Sequence, residues 1–157
     1  MKVSLRALGI ITLAVCWAAF ASQAPAASPG AQQVSADAPP LTLEAAKALK
    51  NPTPNTAQSI GRGKRLYGSL GCPGCHGADG KALIEVVANA TDLTSPPVWK
   101  NGTDEGLVFR SIRDGAGLAM PPFKTEVAEQ RDIWDLVNFI RSLWPAGQRP
   151  PVAAEPR

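Results

Sequence analysis

Cys72-Pro73-Gly74-Cys75-His76 decides how the rest of this chain is read. Two residues between the cysteines let one helical turn carry both thiols along the edge of a flat group. The histidine that follows at once swings an imidazole beneath it. That is the spacing by which two thiols add across the two vinyl groups of a haem while the next residue offers its imidazole to the iron. Cys72, Cys75 and His76 are therefore candidate cofactor-binding residues for one covalent haem c per chain. A C-P-x-C stretch also serves thiol oxidoreductases, but there it sits at a strand-to-helix turn, and no strand pattern flanks it here. A structural zinc needs four tight ligands; beyond these three the chain offers only Cys16, inside its N-terminal segment.

That segment opens with Lys2 and Arg6, continues with the uncharged run Ala7–Phe20, and ends among small residues that include Ala19-Phe20-Ala21. This is the layout of a secretory signal, expected over residues 1–24. The uncharged run is shorter than the about 20 apolar residues of a membrane span; left uncleaved it would act as an anchor. Valine before Cys16 stands where a lipoprotein signal carries a small residue. Export leaves Cys72 and Cys75 as the only cysteines. A bridge closing so small a loop would staple almost nothing, so the two thiols need another purpose. Losing Lys2 and Arg6 takes the 16 basic residues down to 14, against 13 acidic ones. No block of Lys or Arg remains to suggest nucleic acid as a partner.

Ten of the 15 prolines lie outside Gln58–Trp144, and that sets the expected domain at residues 58–144. Residues 25–57 have the Ala, Pro, Ser and Gln content of a linker, with a helical turn or two expected in Leu41–Lys50. Residues 145–157 read as a polar, proline-rich tail. Between these flanks the pattern is helical. Thr56 or Ser59 caps a segment running to about Leu70. Thr103 or Asp104 starts a second, with Leu107, Val108 and Ile112 at helical spacing. From roughly Glu126 to Leu143, Ile133, Leu136, Val137, Ile140, Leu143 and Trp144 fall in one stripe. Leu83–Val87 is the one strand-like run. The fold class is all-α, about three to five helices wrapped around the haem.

His76 is the only histidine, so paired-histidine ligation within the chain is excluded. With Met1 lost to export, Met120 is left as the candidate for the iron's other face. Gly115-Ala116-Gly117 before it permits close backbone approach, and Pro121-Pro122 after it stiffens the loop. The alternative is a methionine packed in the core. Trp99 could donate its indole N–H to a haem propionate or be core; Lys100, Arg110 and Arg113 are candidate propionate partners or solvated charges.

Taken together, residues from about Asn51 to Trp144 resemble a class I c-type cytochrome of the bacterial periplasmic kind. Gly63-Lys64-Arg65-Leu66-Tyr67 and Cys72–Gly77 resemble its first helix and haem site. Ala90-Thr91-Asp92-Leu93-Thr94 resembles its mid-chain loop, Met120-Pro121-Pro122-Phe123 its distal loop and Ile133–Leu143 its closing helix. The resemblance implies a small cytochrome c fold in which Gly63, Tyr67 and Phe139 meet at a helix crossing. It also implies His76 and Met120 as proximal and distal iron ligands. Many relatives have a proline whose carbonyl accepts the other N–H of the ligand histidine; Thr91 stands near that place here.

The function implied is that of a periplasmic one-electron carrier and not of an enzyme. Its expected donor is a dehydrogenase or quinol-oxidising complex, and its acceptor a terminal oxidase or another cytochrome. The protein is expected as a monomer, free in the periplasm or anchored to the membrane facing it. The alternative is a haem enzyme or gas-binding sensor with an open distal iron site.

Overall fold

Thr56 starts the helix on which the rest is built. Its hydroxyl accepts the Ser59 N–H at 3.2 Å, filling one of the donors that a helix start leaves open. In the computed structural model, which describes residues 35–82 and 90–155, five α-helices follow one another. They are α1 Leu43–Ala48, α2 Ala57–Ser69, α3 Pro73–His76, α4 Glu105–Asp114 and α5 Gln130–Ser142. Among the described residues there is no strand; isolated bridges join Thr56 to Ala153 and Ala116 to Met120. The all-α expectation holds. The signal segment, the start of the expected linker and the strand-like run Leu83–Val87 lie outside the described residues. No helix among those described is long and apolar enough to cross a membrane.

The closing helix α5 begins at Gln130, after the start expected at roughly Glu126. The Asp132 carboxylate accepts the Glu129 N–H at 3.3 Å and sets the cap there, while the Glu126 N–H closes a turn onto Phe123. From this start α5 packs on both α2 and α4. Ile133, Leu136, Val137 and Ile140 are buried, each worth about 2 kcal/mol on removal from water. Trp134, off the main stripe, is buried too and stacks on Phe109 with ring centroids 4.1 Å apart.

The α2–α5 crossing has no room for a side chain at Gly63. A Cβ there would fall on the Asp135 carbonyl oxygen and come within 2.7 Å of Phe139 Cβ. One turn further, Tyr67 and Phe139 fill the crossing with centroids 5.2 Å apart. Beside them lies a buried polar cluster. The Ser59 hydroxyl donates to Asp135 at 2.5 Å, Arg62 donates to both Asp135 carboxylate oxygens at 2.6 and 2.9 Å, and Asn138 donates to Ser59 at 2.8 Å. Every member has partners, which is what lets polar groups stay buried here.

Part of the stretch expected as linker is built into the fold. Ala46 on α1 is fully buried, and a Cβ at Gly106 on α4 would fall on its carbonyl oxygen. Asn51 donates its amide N–H₂ to Asn138 at 2.8 Å, and its backbone N–H to Glu105 at 3.1 Å. Leu41 and Leu49 also pack against the core, so apolar contact and hydrogen bonding together seat this segment. The tail likewise returns to the start of α2: Ala153 donates to the Asn55 carbonyl at 2.8 Å, and the Glu155 carboxylate accepts the Gln58 N–H at 2.8 Å.

Candidate functional site

Three segments meet at one crevice: α3, the loop that runs from Ala90 to Gly102, and the turn after α4. In α3, Pro73 takes the first helical position, where its missing N–H costs nothing. The Cys75 and His76 N–H groups bond the Cys72 carbonyl at 3.2 and 3.0 Å, which sets the cysteines one turn apart. Both are free thiols and half-buried. Burial pushes the Cys72 thiol up to about 11, so it stays protonated at neutral pH.

His76 is held by one bond. Its Nδ1 lies 2.9 Å from the Thr91 carbonyl oxygen. A carbonyl only accepts, so Nδ1 carries the proton in this contact and Nε2 keeps its lone pair. Thr91 thus supplies the carbonyl that a proline supplies in many similar chains. Tyr67 adds a tie that its aromatic role did not suggest: its buried hydroxyl donates to the Gly77 carbonyl at 2.7 Å, fixing the end of α3 to α2. Burial holds the Tyr67 hydroxyl above its usual range.

Met120 arrives from the other side. After Asp114 the chain turns through Gly115 (φ 82°) and Gly117 (φ 63°), and Ala116 and Met120 exchange backbone hydrogen bonds at 3.1 and 3.4 Å. A Cβ at Gly115 would come within 2.7 Å of the Met120 carbonyl oxygen, whereas Gly117 faces open space. The glycines therefore serve the turn itself. Pro121 and Pro122 have no N–H to offer. Phe123 and Lys124 do, and they take the Ile112 and Arg113 carbonyls left open at the end of α4, at 3.0 and 3.1 Å.

The crevice has two lobes of about 480 and 520 Å³ that share Cys72, His76, Thr91, Met120 and Phe123. Such volumes suit a cofactor. Tyr67, Leu93, Val108, Ile112, Leu136 and Ile140 give the first lobe an apolar wall made from the core itself, and Cys75 lines the second. A flat apolar group tied at Cys72 and Cys75 fits this arrangement: two unbridged thiols on one wall, an imidazole with one nitrogen uncommitted, and a thioether on the facing loop.

Three of the expected propionate partners are engaged by other groups. Arg113 does not line the crevice. It is 6% exposed and donates to Asp114 at 2.7 Å and to the Pro39 carbonyl at 3.2 Å, so its charge is spent inside the fold. Trp99 does line the first lobe, but its indole N–H donates to the Asp92 carbonyl at 3.0 Å and its ring meets Trp144 edge-on. Arg110 is likewise occupied, by the Leu41 carbonyl at 2.6 Å. Of the expected charged partners Lys100 alone lines the crevice.

Comparison with known proteins agrees with this geometry. The family described as cytochrome C oxidase, cbb3-type, subunit III matches residues 58–140. The chain is 37% identical over 105 residues to the cbb3-type cytochrome c oxidase subunit CcoP of Helicobacter pylori (strain 52), covering 66% of this chain and 32% of that one. For the same subunit of strain ATCC 700392 / 26695 the identity is 39% over 99 residues, covering 62% and 31%. The chain thus spans about a third of the length of these curated relatives. Among solved structures, the Kuenenia stuttgartiensis reducing HAO-like protein complex Kustc0457/Kustc0458 superposes with a TM-score of 0.52 at 24% identity, over 63% of this chain and 49% of that one, a likeness of fold alone. With the match spanning the attachment motif, the α2–α5 crossing and most of the closing helix, the chain belongs to the cbb3-type cytochrome c oxidase subunit III family and carries a c-type cytochrome domain.

Proposed function

We propose that this protein is a periplasmic one-electron carrier, with one haem c linked through Cys72 and Cys75 and its iron held by His76 Nε2 and Met120 Sδ. The observation that carries the reading is the sharing of one crevice by His76, locked in a single tautomer by Thr91, and Met120. When bound, haem supplies an iron that changes between ferric and ferrous states by one electron. This chain's residues set the terms of that change. A thioether donor favours the ferrous state, and an apolar wall around it raises the potential further. With His76 and Met120 both committed to the iron, no place would be left there for a substrate, and the protein would transfer electrons without catalysing a reaction of its own. A dehydrogenase or quinol-oxidising complex would be the donor. The names of the curated relatives support a cbb3-type oxidase as the acceptor or host assembly.

The test uses exported protein made with haem-attachment machinery. Its intact mass under denaturing conditions should include one haem, and the oxidised form should be low-spin. A weak sulfur-to-iron charge-transfer band should be present and should vanish in Met120→Ala. Ready binding of carbon monoxide by the reduced wild type would overturn the carrier reading in favour of a gas-binding sensor or haem enzyme with an open distal site.

A further inference from the structure

The loop that presents Met120 leaves α4 at Asp114 and returns at Lys124, and both ends are tied to the same short piece of chain. Leu41 donates its N–H to Asp114 Oδ2 at 2.9 Å, and its carbonyl accepts from Arg110 Nε at 2.6 Å. Arg113 bridges Asp114 Oδ1 and the Pro39 carbonyl at 2.7 and 3.2 Å. At the far end, Lys124 Nζ donates to the Ala38 carbonyl at 2.7 Å. The Arg113–Asp114 pair is almost wholly buried, with 7% and 3% of the side chains exposed. Four charged side chains are thus committed to residues 38–41, a segment whose composition reads as linker.

We infer that Ala38–Leu41 is a strap that positions the Met120 loop, with Arg110, Arg113, Asp114 and Lys124 as the positioning residues through which it acts. Within the loop, the two backbone bonds between Ala116 and Met120 are internal and Leu118 at the tip is fully exposed; apart from the packing of Met120 against the core, the loop is held at its ends, where Phe123 and Lys124 also bond the Ile112 and Arg113 carbonyls. Its hold on Met120 therefore depends on how firmly its two ends are fixed. Charge-assisted bonds are the stronger kind, and the strap takes part in them at both ends, half-buried at Lys124 and almost wholly buried at the Arg113–Asp114 pair. Loosening it should let the loop open and release Met120 more often while the helical core stays closed.

The inference rests on the reading of Met120 as an iron ligand, and its test separates the two. In the oxidised holoprotein, imidazole can take the distal position only while Met120 is away. Lys124→Met keeps the aliphatic stem and removes one tie; imidazole should bind about tenfold faster, the factor that a lost charge-assisted bond is worth. Asp114→Asn should act in the same direction, and Lys124→Arg should restore the wild-type rate. Glu155→Ala removes the acceptor of the Gln58 N–H at the start of α2 instead and should leave the rate unchanged. Amide hydrogen exchange over Gly115–Lys124 reports the strap's grip on the loop whichever residue reaches the iron. It should quicken in Lys124→Met and not in Glu155→Ala. Persistence of the sulfur band in Met120→Ala would remove the ligand reading alone. Unchanged exchange and unchanged imidazole binding in both strap variants, or equal acceleration in Glu155→Ala, would overturn the strap.

Discussion

Gly63 and Gly106 sit at two helix contacts that look alike in detail and differ in what stands behind them. At Gly63 a Cβ would fall on the Asp135 carbonyl oxygen, with Phe139 Cβ 2.7 Å away; at Gly106 it would fall on the Ala46 carbonyl oxygen, with Leu49 Cβ 2.8 Å away. The first contact joins two helices of 13 residues each, pinned by Ser59, Arg62 and Asn138 around Asp135 and by Tyr67 against Phe139. The second joins α4 to a six-residue helix with one buried side chain, Ala46. Identical local crowding should therefore cost different amounts, because the price of a clash is set by what can move aside. The α2–α5 crossing also holds Tyr67 over the crevice, whereas α1 lies outside it. Rigid packing is concentrated where the cofactor wall is made.

The sharpest way to break this comparison is at the rigid contact. Phe139→Ala should cost about 3–5 kcal/mol, since it empties the space between the two helices; chemical denaturation of the holoprotein measures it. A loss under about 1 kcal/mol would show that the ring does not fill the crossing. Gly63→Ala should cost about 3 kcal/mol, the upper end for an inserted methyl, because neither helix can retreat. Gly106→Ala, by the same measurement, should cost only about 1 kcal/mol as α1 shifts outward. Equal losses at the two glycines would show that α1 is as firmly seated as α5.

A smaller effect sharpens the comparison from the side of Tyr67, the chain's single tyrosine. Its hydroxyl is buried against the Gly77 carbonyl, and burial raises its pKa above the ordinary value of about 10. Above that pH the unfolded chain releases this proton and the folded chain keeps it. The unfolded state then binds fewer protons, and stability falls as pH rises. Tyr67→Phe should flatten this alkaline slope while costing about 1 kcal/mol at neutral pH for the lost hydrogen bond. Stability curves of wild type and Tyr67→Phe that run parallel above pH 10 would contradict the burial of the hydroxyl in a rigid crossing.

Much of the fold was legible because its signals are local. The apolar stripe of α5 repeats every three or four residues, Thr56 caps α2 within one turn, and Gly63, Tyr67 and Phe139 were expected to meet. The flanks were harder to read. Residues 38–57 read as linker by their proline and polar content, yet Ala46 is buried, Leu41 and Leu49 pack against the core, and Arg110, Arg113, Asp114 and Lys124 hold the backbone of residues 38–41 by hydrogen bonds. Arg113 reads as a free charge in sequence because its partner carbonyl, at Pro39, lies 74 residues away.

By itself the amino-acid order made the attachment motif and the helical class legible. The spacing of Cys72, Cys75 and His76 and the period of the apolar residues act within a few residues of each other, where chain connectivity enforces geometry. Tertiary structure alone decided that Thr91 fixes the imidazole, that Asp135 and Asn138 are buried, and that a strap brackets the Met120 turn. A backbone carbonyl has no residue type to betray it, and a polar side chain goes inside only where folding brings it a partner; Ser59 reaches Asp135 across 76 residues of sequence.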